Sequence, residues 1–282
     1  MTENPYISML SALIFTSGLM GAIRFIQKRY APHPEWCRKL MHIGSGIVAL
    51  SMPWLFQNTR PVLILCAFSL LGLLAIKHLK YLRHNIGRVV GDVERKSSGD
   101  IYFPLTIAVL FLLSRGDPLF YCIPIMILTF ADAAAALVGI FYGVLHFETR
   151  DGVKTIEGSL AFFLVAFFCA YIPLLFFADS GAPEKFLIAF LLAFLLMIVE
   201  AAAGWKGLDN LLIPVAGFLV LKVTADCTLA ELVGQAALVL SLSFSLFLRR
   251  FRIRFRDNAL PGVVSVGPYR QFREQSRSKG IR

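Results

Sequence analysis

Pro118-Leu-Phe-Tyr-Cys-Ile-Pro-Ile-Met-Ile-Leu-Thr-Phe-Ala-Asp-Ala-Ala-Ala-Ala-Leu-Val-Gly-Ile-Phe-Tyr142 runs for 25 residues with Asp132 as its only charge. A helix needs about 20 apolar residues to cross a bilayer, so this stretch is long enough to span one. A carboxylate inside it is costly and needs a reason to be there. Ala131, Ala135, Gly139 and Gly143 recur at steps of four. Such a ridge of small residues lets a second helix come close to the backbone. Asp132 sits beside the ridge, which points it into a bundle rather than at lipid.

Outward from this stretch the same pattern repeats. Apolar blocks occupy about 5–23, 41–57, 60–77, 99–114, 157–178, 184–203, 209–222 and 229–248. The 282-residue chain is 57% hydrophobic and 16% charged, with a mean hydropathy of +0.70. Soluble chains run at about 45–50% apolar and about 25% charged, so a soluble globule is excluded. The runs are continuous, whereas a barrel needs short alternating segments. The expected fold is therefore all-α: a polytopic integral membrane bundle of about nine transmembrane helices. Blocks 41–57, 99–114 and 209–222 are short and open to being broken or re-entrant. The opening Met-Thr-Glu-Asn-Pro lacks a basic n-region, so the first block reads as a retained span. The five cysteines form no close pair and indicate neither a disulfide framework nor a thiolate metal site.

Charge orients the bundle. With the amino terminus outside and the carboxyl terminus cytoplasmic, 24 of the 28 Lys and Arg residues fall on the inner side. Only Arg60, Arg115, Lys185 and Lys222 fall outside. This is the positive-inside bias of an integral protein, here read as one of a bacterial inner (cytoplasmic) membrane. The net charge of +10 thus orients the chain and meets membrane lipids; no nucleic acid role follows from it. Residues 1–248 read as a single membrane-embedded catalytic domain and 249–282 as a basic cytoplasmic tail. In that tail, Arg249 to Arg256 alternate basic and apolar residues with a period of two, suited to lying on acidic headgroups.

Five polar stretches break the apolar chain, all on the cytoplasmic side. Asp132 has no basic residue within a turn or two of sequence. Its carboxyl group is either neutral, tied to a neighbouring helix through Thr129, or holding a cation. Glu200 and Asp209 fall near the same interface, and three carboxylates there make a hard-oxygen site suited to Mg²⁺. Asp209 also fits a helix N-cap, a role compatible with metal binding. Lys154-Thr155-Ile156-Glu157-Gly158-Ser159 reads as a turn into the sixth span, either an ordinary helix start or a phosphate site. Arg38 and His42, spaced i, i+4 beside Lys39, either anchor the chain at the interface or hold phosphate and assist proton transfer. Glu94, Arg95 and Lys96, ahead of Gly99 and Tyr102-Phe103-Pro104, read alone as a solvated loop.

Taken in order, these stretches resemble the dolichol kinase/phytol kinase family of membrane-embedded, CTP-dependent lipid-alcohol kinases. Arg-Lys-x-x-His-x-x-x-Gly (from Arg38) precedes Glu-Arg-Lys-x-x-Gly-x-x-Tyr-Phe-Pro (from Glu94). An Asp in a small-residue helix follows (Asp132), then Lys-Thr-x-Glu-Gly-Ser (from Lys154) and Asp-Asn-x-x-x-Pro (from Asp209). The resemblance covers roughly residues 35–220. It implies transfer of the terminal phosphoryl group of CTP to a prenyl alcohol, with Mg²⁺. Asp132 and Asp209 would hold the metal, and Asp132 or His42 would take the hydroxyl proton. Lys154, Thr155, Gly158 and Ser159, with Arg38 and Lys39, would bind the nucleotide phosphates. Glu200, Asn210, Glu94 and Lys96 would complete the polar site. The chain departs from the family where Ala131-Asp132 replaces the usual Gly-Asp. Its length matches the compact phytol kinases rather than the longer dolichol kinases.

Other readings differ in chemistry. A phosphatidate cytidylyltransferase also uses CTP and Mg²⁺, but its Asp-Arg-x-Asp element is only partly echoed by Gly207-Leu208-Asp209-Asn210. A CTP-dependent diacylglycerol kinase would carry similar motifs. A transporter could also use a midplane carboxylate, but the chain shows no inverted repeat and its polar residues cluster on one side.

Overall fold

In the computed structural model, which describes residues 5–30, 32–78, 99–149, 152–202, 207–250 and 253–254, a helix covers each of the nine apolar stretches. They are α1 (Pro5–Tyr30), α2 (Pro34–Leu55), α3 (Thr59–His78), α4 (Gly99–Leu113), α5 (Pro118–Tyr142), α6 (Ile156–Phe177), α7 (Ala182–Ala202), α8 (Asp209–Thr224) and α9 (Leu229–Arg250). By length and apolar composition, α1, α5, α6 and α7 can each cross a membrane; α3, α4 and α9 contain shorter apolar stretches. Glu94, Lys96 and Lys206 lie outside the described residues, as does most of the basic tail.

Local signals set several helix starts. Asp117 caps α5 by accepting from the Leu119 amide at 2.8 Å, with Pro118 in the first helical position where no N–H is needed. The preceding turn carries Arg115 and Gly116 at φ 51° and 88°, the left-handed region. Pro34 likewise begins α2 behind His33, whose Nδ1 accepts from the Glu35 amide at 3.3 Å.

Helices α2, α4 and α8, expected as short spans, are continuous, so the irregularity expected there is found elsewhere. It lies in α5, where Ile127–Ala131 form a π turn just beyond Pro124. A π turn widens the helix and re-aims its carbonyls, and such turns are frequent at functional sites. Asp132 follows it directly.

Two apolar cores flank α5. Ile123 and Ile127 pack with Phe162, Leu192 and Ile213 of α6, α7 and α8. Tyr121 and Ile125 face Ala49, Val62 and Leu110 of α2, α3 and α4. The buried Tyr121 hydroxyl donates to the Ala49 carbonyl at 2.9 Å, which satisfies it inside the apolar core. Outside, Phe176 and Phe177 are each 77% exposed, and Leu10, Ile14, Phe68 and Leu71 also stand bare. So much uncovered hydrocarbon is unfavourable in water and suits contact with lipid.

A small sheet, which hydropathy did not reveal, adds to the helical fold. Strands β1 (His146–Thr149), β2 (Gly152–Thr155) and β3 (Ile253–Arg254) pair antiparallel in the order β2-β1-β3. Lys154-Thr155 therefore sits on a strand, not in a turn, and the backbone of Ile253–Arg254 lies along β1.

Candidate functional site

Asp132 is not without a counter-charge. Lys39, only 3% exposed, crosses from α2 and donates through Nζ to Asp132 Oδ2 at 2.6 Å and to the Asp132 carbonyl at 3.2 Å. The cation that sequence spacing left open is therefore a lysine 93 positions away. His42, one turn along α2, donates through Nε2 to the Leu128 carbonyl in the π turn at 2.9 Å and lies 3.5 Å from Asp132 Oδ2. Lys39, rather than Arg38, thus shares with His42 the face of α2 that meets α5. Arg38 pairs with Glu35, its Nε donating to both carboxylate oxygens at 3.1 and 3.2 Å. Arg38 remains close enough to interact electrostatically with Asp132 and Asp209.

Gly46 explains how α2 comes so near. A Cβ there would run into the Thr129 side chain. Thr129 Oγ1 is itself buried and finds no protein partner among the described residues, so the Thr129-bonded Asp132 is not what forms.

The small-residue ridge of α5 meets the start of α6, as its spacing predicted. A Cβ on Gly158 would lie 2.9 Å from the Ala135 carbonyl and 3.3 Å from Gly139 Cα. Thr155 is the N-cap of α6, with φ −126° and ψ 148°, and its Oγ1 accepts from the Gly158 amide at 3.1 Å. The Ile156 amide donates to the Leu145 carbonyl at 2.9 Å. Glu157, whose role sequence reasoning missed, accepts from the Leu145 amide at 3.1 Å. Thr155, Gly158 and Glu157 therefore serve the local structure. Of this stretch, Lys154 and Ser159 keep polar atoms for other work.

Lys154 makes the second long-range pair. Its Nζ donates to Glu200 Oε1 at 2.6 Å and to the Glu200 carbonyl. That carbonyl lies in the last turn of α7, where carbonyls lack helical partners and a cation is favoured. Among the described residues, Glu200 Oε2 and Ser159 Oγ are buried without a protein partner.

Asp209 and Asn210 open α8. Leu208 occupies the N-cap position without a side-chain cap, so Asp209 is not the cap. Its Oδ1 accepts from the Asn210 amide at 3.0 Å. Asn210 ties α8 to α4, donating through Nδ2 to the Gly99 carbonyl at 3.0 Å and accepting at its own carbonyl from Thr106 Oγ1 at 2.8 Å. Asn210 is thus a strut for the site.

Residues from α2, α5, β2, α7 and α8 so meet at one end of the bundle. Glu200 interacts electrostatically with Asp132 and Asp209, and Asp209 with Lys39 and Lys154. Among the described residues no three His, Cys, Asp or Glu side chains are grouped to hold a metal ion, so the expected three-carboxylate cage does not form. Asp132 and Asp209 lie within electrostatic range of each other, and two carboxylates together with substrate phosphates are a usual donor set for Mg²⁺.

Fold and site define a helical membrane protein with an interlocked set of lysines and carboxylates at one end of its bundle. The chain is 28% identical over 213 residues to the phytol kinase of Synechocystis sp., covering 75% of this chain and 86% of that protein. This likeness supports the family that the ordered motifs resemble, the phytol and polyprenol kinases. No family model matches the chain. No solved structure matches it either.

Proposed function

We propose that this chain is a lipid-alcohol kinase that transfers the terminal phosphoryl group of CTP to a prenyl alcohol, phytol or a related prenol, in a Mg²⁺-dependent reaction at the cytoplasmic face of the membrane. The observation that carries this reading is the convergence of two lysine–carboxylate clamps, Lys39 on Asp132 and Lys154 on Glu200, at one end of an apolar bundle. The similarity to a phytol kinase supports the same reaction class. A polyanionic nucleotide reaches such an end from water, while an alcohol with a hydrocarbon tail reaches it from lipid.

Phosphoryl transfer asks a protein mainly for positioning and charge neutralisation. An ammonium group has three donors, and each lysine spends two on its clamp, leaving one for a phosphate oxygen. Arg38 adds a further positive charge nearby. Asp132 and Asp209 would hold Mg²⁺, which supplies charge neutralisation on the phosphates. The alcohol oxygen forms a bond to the γ-phosphorus, the bond from that phosphorus to the β–γ bridging oxygen breaks, and CDP leaves. The hydroxyl proton passes to Asp132. The Nε2–H of His42 is donated to the Leu128 carbonyl, which leaves Nδ1 as its basic nitrogen.

Purified protein incubated with Mg-CTP and a prenol panel, diacylglycerol or phosphatidate tests the reading. CDP together with a prenyl monophosphate is expected. CDP formed only with diacylglycerol moves the activity to that lipid, pyrophosphate makes the protein a cytidylyltransferase, and no turnover on any lipid removes the kinase reading.

A further inference from the structure

Glu200 holds Lys154 in a way that a simple surface ion pair does not. The residue is 9% exposed, and both its Oε1 and its main-chain carbonyl accept from the same ammonium group. Two contacts from one residue fix the end of a flexible side chain, so its rotamer freedom is lost before any ligand binds. The geometry repeats that of Lys39 on Asp132, where one ammonium again meets the carboxylate and carbonyl of a single residue. Among the described residues, one N–H is left over in both clamps.

Two further atoms mark the Lys154 clamp as part of a binding surface rather than an internal strut. Among the described residues, Glu200 Oε2 and Ser159 Oγ are both buried and without protein partners. Buried polar atoms are paired as a rule, with protein, water or ligand. Ser159 lies in the first turn of α6, at the end of the strand–helix junction that carries Lys154. The junction itself is braced independently by the Thr155 cap and by Glu157 on Leu145. Glu200 is therefore not needed to build the local backbone; its contribution falls on the lysine.

We infer that Glu200 is a positioning residue for the nucleotide: it clamps Lys154 against the end of α7 so that the remaining N–H of the ammonium faces a phosphate of CTP, with the Ser159 hydroxyl as a second donor from the start of α6. This role rests on the kinase reading above. It assigns Glu200 to nucleotide binding through Lys154, and not to the alcohol. A carboxylate alone would repel phosphate, so truncating Glu200 weakens nucleotide binding only if Lys154 transmits the effect.

The test is a double-mutant cycle on the full chain in detergent or lipid nanodiscs. Equilibrium CTP binding without alcohol, steady-state KM values for CTP and phytol, and thermal midpoints are measured for wild type, Glu200→Gln, Lys154→Met and the double variant. Losing the ion pair while keeping an acceptor oxygen predicts about tenfold weaker CTP binding in Glu200→Gln, with the phytol KM within about twofold of wild type. The double variant should bind CTP no more weakly than Lys154→Met alone. Glu200→Asp, which keeps the charge but shortens the reach, should recover part of the affinity. Losses that multiply in the double variant, or unchanged CTP affinity in Glu200→Gln, overturn the role of Glu200. Absent CTP binding and turnover in the wild type would instead remove the kinase reading itself.

Discussion

Replacing Lys39 by Met probes the centre of the site. The two charges of the Lys39–Asp132 pair are 2.6 Å apart, and their side chains are 4% and 15% exposed. At an effective dielectric of about 20, that separation corresponds to an attraction of about 6 kcal/mol. Removing each ion from water costs several kcal/mol, so the intact pair contributes little net stability. Deleting one partner is different, because the other stays behind without compensation, at a cost of about 3–5 kcal/mol. Met keeps the length and apolar stem of Lys, so little of this loss comes from packing. Lys39→Met and Asp132→Asn should each destabilise the protein by about that amount, while the double variant loses at least about 2 kcal/mol less than the sum. Equilibrium unfolding of the four proteins in mixed micelles of mild and denaturing detergent measures the cycle. Single variants within about 1 kcal/mol of wild type, with additive effects, would refute the pairing and the charge balance built on it.

Other perturbations address the frame around this pair. Gly158→Ala forces a methyl group against the Ala135 carbonyl, which is backbone and cannot turn aside. It should cost about 1–3 kcal/mol in unfolding experiments, the usual cost of overpacking. Thr155→Ala removes the α6 cap and should cost about 0.5–2 kcal/mol, whereas Thr155→Ser keeps the hydroxyl and should remain near wild type by the same measurement. With active protein, Asp132→Asn should lower kcat by about 10²–10⁴-fold, the range for loss of a positioned proton acceptor. Near-normal turnover in that variant would assign the proton transfer elsewhere.

Asp132 shows how far reading along the chain can go. A lone carboxylate in 25 apolar residues declares itself by its cost, and the adjoining small residues foretell a close helix crossing. That crossing is made by Gly139 of α5 and Gly158 of α6. The identity of the counter-charge was not legible, because Lys39 resembles any interfacial lysine until α2 is laid against α5. Glu200 posed the same difficulty. Its apolar neighbours marked it as buried, but no spacing links it to Lys154, 46 positions earlier. The π turn was also hidden, since Ile127–Ala131 has ordinary helical composition. By its place in the chain Asp209 fits a helix cap as well as a metal ligand, yet a single residue of displacement puts it inside the helix.

By itself the sequence determined that this is a helical membrane protein, where its helices run, and which few residues bear the cost of polarity among apolar neighbours. These properties follow from length, hydropathy and charge, quantities that add up along the chain. Only the tertiary structure decided which charges neutralise which. It paired Lys39 with Asp132 and Lys154 with Glu200, turned Thr155 and Gly158 to capping, and left Ser159 Oγ and Glu200 Oε2 without protein partners among the described residues. Ion pairing acts over a few ångströms between helices distant in sequence, and only their packing brings the partners within that range.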